Sequence, residues 1–178
     1  MRSLYKIYDN QAVYFITSSI VEWIPMFTGK PYFDILVSSI QYCQKNKKLS
    51  VYAYVIMENH FHMICQSNEL DKVIQSLKRH SAKRIIEQLN SDRKTWILDA
   101  LKYYKKQHKK HSEHQLWQEG FHPQQLLSAK MALQKIEYLH YNPVRRGYVS
   151  APEHWIYSSA GDFYLNRQGL IELQELIL

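Results

Sequence analysis

The chain has 178 residues, 46% apolar and 22% charged, which allows one sizeable core, is short for two, and leaves no window apolar enough to span a membrane. Lys and Arg number 23 against 16 Asp and Glu, giving a net charge of +7 and a pI of about 9.3. That balance favours a polyanionic partner, and phosphate backbones are the commonest, although many basic proteins have no such partner.

In chain order, Met1 to Asn10 has no apolar core of signal-peptide length, so no leader is expected. Ala12 to Ser18, rich in aromatic and β-branched residues, predicts a strand. Pro25 and Gly29 mark a loop over Ser18 to Lys30. From Tyr32 to Asn46 the residues Phe33, Leu36, Val37, Ile40 and Cys43 recur at a helical period, and Pro31 suits the first turn. Ser50 to Met57 predicts a second strand, with Tyr52, Tyr54 and Ile56 on one face and Val51, Ala53 and Val55 on the other. Glu58 and Asn59 read as a turn or bulge, and His60 to Gln66 as a third strand, antiparallel to the second because the connection is short.

Glu69 to Asn90 predicts a helix with Val73, Ile74, Leu77, Ile85, Ile86 and Leu89 on its apolar face. Its other face carries Lys72, Lys78, Arg79, Lys83 and Arg84. Leu101 to His114 is basic with aromatics and reads as a helix end or an arm, its charges suited either to phosphate or to solvent. Leu116 to Phe121 reads as a short strand. A helix is expected after Pro123, from about Gln124 to Tyr141, because Pro143 disfavours helical geometry at Asn142. A last helical stretch is expected near Leu170 to Ile177. Cys43 and Cys65 have no metal-site spacing, so two buried thiols in a reducing cytoplasm are expected. There is no internal repeat or linker, so the whole of 1–178 is expected to form one α+β domain with a split βαβ sheet. A different α+β sandwich is the alternative.

His60-Phe61-His62 lies on the third strand, where side chains alternate faces, so both imidazoles project together and Phe61 turns to the core. Such a pair alone is weak, since two histidines at a strand start also bond to backbone or solvent. Neutral imidazoles on a rigid strand do, however, ligate divalent metals well. On the last long helix, Ala129, Leu133, Ile136 and His140 form an apolar stripe, with Ala132 and Leu139 beside it. Tyr138 falls off that stripe and shares a face with Met131, Gln134, Asn142 and Arg145. A nucleophile needs such a place, and an amphipathic helix-edge tyrosine also takes it.

Four segments together resemble a known family. Tyr54 to Ile64 (Tyr-Val-Ile-Met-Glu-Asn-His-Phe-His-Met-Ile) is similar to the histidine–hydrophobic–histidine segment of the single-tyrosine HUH transposases of insertion-sequence type. Glu137 to Val149 resembles the tyrosine helix and Asn-Pro-Val turn of the REP-associated tyrosine transposases. Leu116 to Phe121 and His154 to Ser159 resemble two further segments of that family, in the same order, so the likeness runs from about 12 to 163. It implies a ferredoxin-like or RRM-like antiparallel sheet with helices packed on one face. It also implies Mg²⁺ or Mn²⁺ held by His60, His62 and Asn142, with Tyr138 as the nucleophile that forms a 5′-phosphotyrosine on single-stranded or hairpin DNA. Relatives act as homodimers or as monomers. Lys78, Arg79, Lys83 and Arg84, with Arg145 and Arg146, are expected to hold the DNA backbone. The alternatives are a domesticated binder of DNA or RNA hairpins and a hydrolase that uses water.

Overall fold

The sheet is built around β1 (Tyr14–Ser19), a run of β-branched and aromatic residues buried on both faces. The structure, a computed structural model, describes residues 7–177. The expectation of no leader, read on Met1 to Asn10, falls mostly on residues outside that range. β1 pairs antiparallel with β3 (His60–Gln66) on one side and with β4 (His122–Gln125) on the other. β3 pairs in turn with β2 (Ser50–Ile56), so the described strands lie in the order β2-β3-β1-β4. That is the antiparallel, ferredoxin-like sheet expected.

A register shift between Val51 and Ala53 changes the expected faces of β2. The extra residue breaks the alternation, so Val51 joins Tyr54 and Ile56 on one face, and Tyr52 joins Ala53 and Val55 on the other.

Helices α1 (Lys30–Lys47) and α2 (Leu70–Ser91) pack against each other over the face bearing Tyr14, Ile16, Phe61 and Met63. Leu36, Ile40, Ile74, Leu77 and Ile85 fill that interface, and Pro31 takes the first turn of α1 as expected. Helix α3 (Thr95–Tyr103), unread in the sequence, adds Ile97, Leu98 and Leu101 to the same core.

Helices on one face were expected, but α4 (Ala129–His140) lies across the opposite face. The reason is compositional: Val13, Phe15, Ala53, Val55 and Ile64 make that face apolar too, and Ala132, Ile136 and Leu139 cover it. The apolar stripe of α4 is therefore rotated from the one read in the sequence, since Leu133 is 66% exposed.

Three further expectations change. His122 to Gln125 is a strand at the sheet edge, where Pro123 is tolerated without an N–H to donate. The helix thus begins at Ala129, after Ser128, whose hydroxyl accepts from the Met131 N–H at 3.3 Å. Of Leu116 to Phe121, only Trp117 forms a bridge, to Ile20. After α5 (Asn142–Arg145) and α6 (Ala160–Leu165), the segment from Leu170 to Ile177 is not helical. Tertiary contacts override its propensity: Gln174 N–H donates to Val51 O, Gln41 and Gln44 donate to the carbonyls of Leu170 and Glu172, and Ile171 is buried in the core.

Candidate active site

His60 and His62 open β3, opposite Ser19 and Thr17 of β1. Phe61 between them is buried in the α1/α2 core, so both imidazoles project to the α4 face. Their ring centroids are 4.7 Å apart. His62 stacks on Phe15 at 5.2 Å, and its Nδ1 lies 2.7 Å from the Thr17 hydroxyl.

The tautomer of His60 follows from its neighbour. Asn59 Nδ2 donates to Trp23 O at 3.2 Å, which turns the amide oxygen toward His60. That oxygen only accepts, so His60 Nδ1 donates to it at 2.7 Å and Nε2 keeps its lone pair. Burial pushes His60 down to about 4, with Glu58 opposing the shift and Arg146 adding to it. Burial pushes His62 down to about 3, helped by His60 and Lys135. Both rings are therefore neutral near pH 7, the form that ligates a metal.

Tyr138, from α4, meets this pair. Its ring lies 5.5 Å from the His62 ring and 6.1 Å from Phe15, both edge-on, and the residue is 43% exposed. A neutral, desolvated imidazole pair thus borders a solvent-reachable phenol. Two cations flank it: the Arg145 guanidinium stands 5.4 Å over the Tyr138 ring and donates to Tyr138 O, while Lys135 Nζ is 4.8 Å from the Phe15 ring and 5.8 Å from the Tyr138 ring.

Asn142, half-buried, opens α5 one turn beyond Tyr138. Among the described residues, no three of His, Cys, Asp and Glu group as a metal site. The two neutral imidazole nitrogens are donors of the kind a divalent ion accepts. Arg146 faces Glu58 at 3.9 Å, at the margin of the same site.

The cations of α2 are not brought to this place, because α2 covers the other face of the sheet. The Lys78 ammonium donates to the carbonyls of Gln118 and Gly120, and burial pushes it down to about 8. Arg79 and Lys83 line a cleft of about 900 Å³ between α2 and residues 109–121. Arg84 pairs with Glu87 on the surface.

Sequence reading missed Thr17, Asn59, Trp23 and Lys135. Lys135 stands three residues before Tyr138, a spacing that puts both on one helix face and was legible. Thr17 and Trp23 meet the imidazoles only through strand register and loop path, which spacing does not encode.

Residues 24–101 match the IS200-like transposase family, a stretch that holds both imidazoles and ends before α4. A REP-associated tyrosine transposase bound to a REP hairpin has the same fold, with a TM-score of 0.68 at 15% identity over 98% of this chain and 93% of that one. A candidate transposase from Deinococcus radiodurans R1 is similar over 75% of this chain and 92% of its own, at a TM-score of 0.44 and 15% identity. No curated protein matches the sequence.

Proposed function

We infer, from the premise that this chain is a relative of the IS200-like transposases with the fold of a REP-associated tyrosine transposase, that it is a DNA transposase which nicks and rejoins single strands through Tyr138. The observation that carries the reading is the approach of the Tyr138 ring to within 5.5 Å of His62, itself 4.7 Å from His60, on one face of the sheet.

A divalent ion, Mg²⁺ or Mn²⁺, held by His60 and His62 with Asn142 as oxygen donor, would polarise the scissile phosphorus and offset charge on its oxygens. The Tyr138 oxygen bonds to phosphorus as the bond from phosphorus to the 3′-oxygen breaks. The phenol proton passes through solvent to the departing oxygen, leaving a 5′-phosphotyrosine and a free 3′-hydroxyl. Attack by a 3′-hydroxyl on the same phosphorus reverses the exchange, returns a proton to Tyr138 and joins the strands. Lys135 and Arg145 stand where they would hold backbone phosphates beside the phenol, with Arg146 further along. Arg79, Lys83 and Arg84 would serve a stretch of DNA that reaches the α2 side.

The partner proposed is single-stranded DNA next to a hairpin, since the similar REP-associated protein is bound to one. Tyr138, His60 and His62 meet within one chain, so a homodimer is not needed to bring them together. Among the described residues, no helix is long and apolar enough to cross a membrane. Cys43 and Cys65 are buried free thiols, which suits the cytoplasm proposed as the working compartment.

The test is nicking of single-stranded DNA with Mn²⁺. Tyr138→Phe should lose nicking, and His60→Ala should lose its metal dependence and most of its rate. Hairpin binding by a parent that never nicks would instead support a domesticated binder, and nicking by Tyr138→Phe would support a water-using hydrolase.

A further inference from the structure

One residue beside the imidazoles has no part in the exchange just described. Trp23 lies in the turn between β1 and α1, is 53% exposed, and sets its indole edge-on to His60 with centroids 5.6 Å apart. Its neighbours Val21 and Ile24 are buried, so the turn is anchored on both sides while the indole stays in solvent. Glu22 and Trp23 both hold positive φ, at 48° and 55°. Two successive non-glycine residues in the left-handed region are unfavourable, and that cost is met only where surrounding contacts enforce the geometry.

Those contacts are present. The Ile20 N–H donates to Asn59 O at 2.8 Å, and the N–H groups of Met26 and Phe27 donate to Glu58 O at 2.7 and 2.8 Å. Asn59 Nδ2 donates to Trp23 O itself. The turn before His60 and the turn bearing Trp23 are thus tied together, and Asn59 links the His60 ring to the Trp23 backbone.

We propose that Trp23 is a stacking platform for an unpaired base of the strand, next to the phosphate that reaches His60 and His62. An exposed indole carried on an anchored turn, edge-on to His60, offers a π-face whose backbone is already ordered before binding. Stacking of this kind accepts any base and requires that base to be unpaired. Trp23 would therefore select single strands over duplex and set which phosphate lies at Tyr138. This inference rests on the strand-exchange reading.

Binding is measured with the Tyr138→Phe protein, proposed to hold DNA without turnover, on a DNA hairpin with a 20-nucleotide oligothymidylate tail and on the same hairpin with a fully abasic tail of equal length. The abasic tail keeps the phosphates and lacks the bases. The parent should prefer the oligothymidylate, and Trp23→Ala should reduce that preference by about 5- to 150-fold. Trp23→Tyr should retain most of it. Trp96→Ala, an exposed residue of α3 on the other face of the sheet, should leave it unchanged. A Trp23→Ala protein that keeps the preference, or that loses affinity for both strands alike, overturns the stacking role. A parent that binds neither strand overturns the strand-exchange reading as well, and this is visible before any Trp23 variant is made.

Discussion

His60, His62 and His140 are buried with rings held neutral, each for the same first reason, loss of hydration around the charged form. All three have folded values near 3 or 4, below the ordinary 6.5. Between those values the unfolded chain binds more protons than the folded one, so stability rises with pH across the interval. The contribution is fully present above about pH 6.5 and is lost as pH falls through about 4 and on toward 3. Urea midpoints should fall across that window, and His140→Gln, which can keep a hydrogen bond to Ser159, should shrink the fall. A midpoint unchanged from pH 7 to pH 4 would contradict the buried neutral rings. At this scale the imidazole pair was legible, because strand alternation fixes which way His60 and His62 point. The tautomer of His60 was not, because it depends on an amide turned by a carbonyl, Trp23 O, from a separate turn.

Among the elements, α4 decides whether a site exists, since it alone carries Tyr138 to the imidazole face. Leu139 is fully buried against the sheet, whereas Leu133 on the same helix is 66% exposed. Leu139→Ala should destabilise the fold by about 2–5 kcal/mol. Leu133→Ala should stay within about 0.5 kcal/mol. Equal costs in urea titrations would mean that the helix is turned about its axis and Tyr138 misplaced. Sequence periodicity found α1, α2, β1, β2 and β3 because each has a long, regular apolar pattern. It failed where the pattern was short or overridden. The bulge in β2 shifts Tyr52 to the other face, the four residues of β4 include a proline, and the chain after α6 is tied along β2 and α1 by hydrogen bonds that no local window contains. Helix α3, with Ile97, Leu98 and Leu101 at helical spacing, carried a readable signal in only nine residues.

At the scale of the molecule, the two faces of the sheet have separate tasks. One is filled by α1, α2 and α3 and holds most of the core. The other carries the smaller cluster under α4, and at its edge the exposed phenol and the flanking cations border the buried imidazoles. The net charge of +7 is shared between both sides, so Arg145 and Lys135 stand at the site while Arg79 and Lys83 line a separate cleft. Composition pointed to a polyanionic partner and could not divide the cations between faces, because that division depends on which helix covers which face. Strand exchange as proposed passes through a covalent bond to Tyr138. The most direct measurement is mass-spectrometric mapping of the product formed when the parent protein, a labelled single strand carrying a hairpin, and Mn²⁺ are combined. A 5′-phosphate-linked nucleotide on the α4 peptide, at Tyr138, is the result predicted. Cleaved DNA with no adduct on that peptide, or an adduct at another tyrosine, would contradict the account.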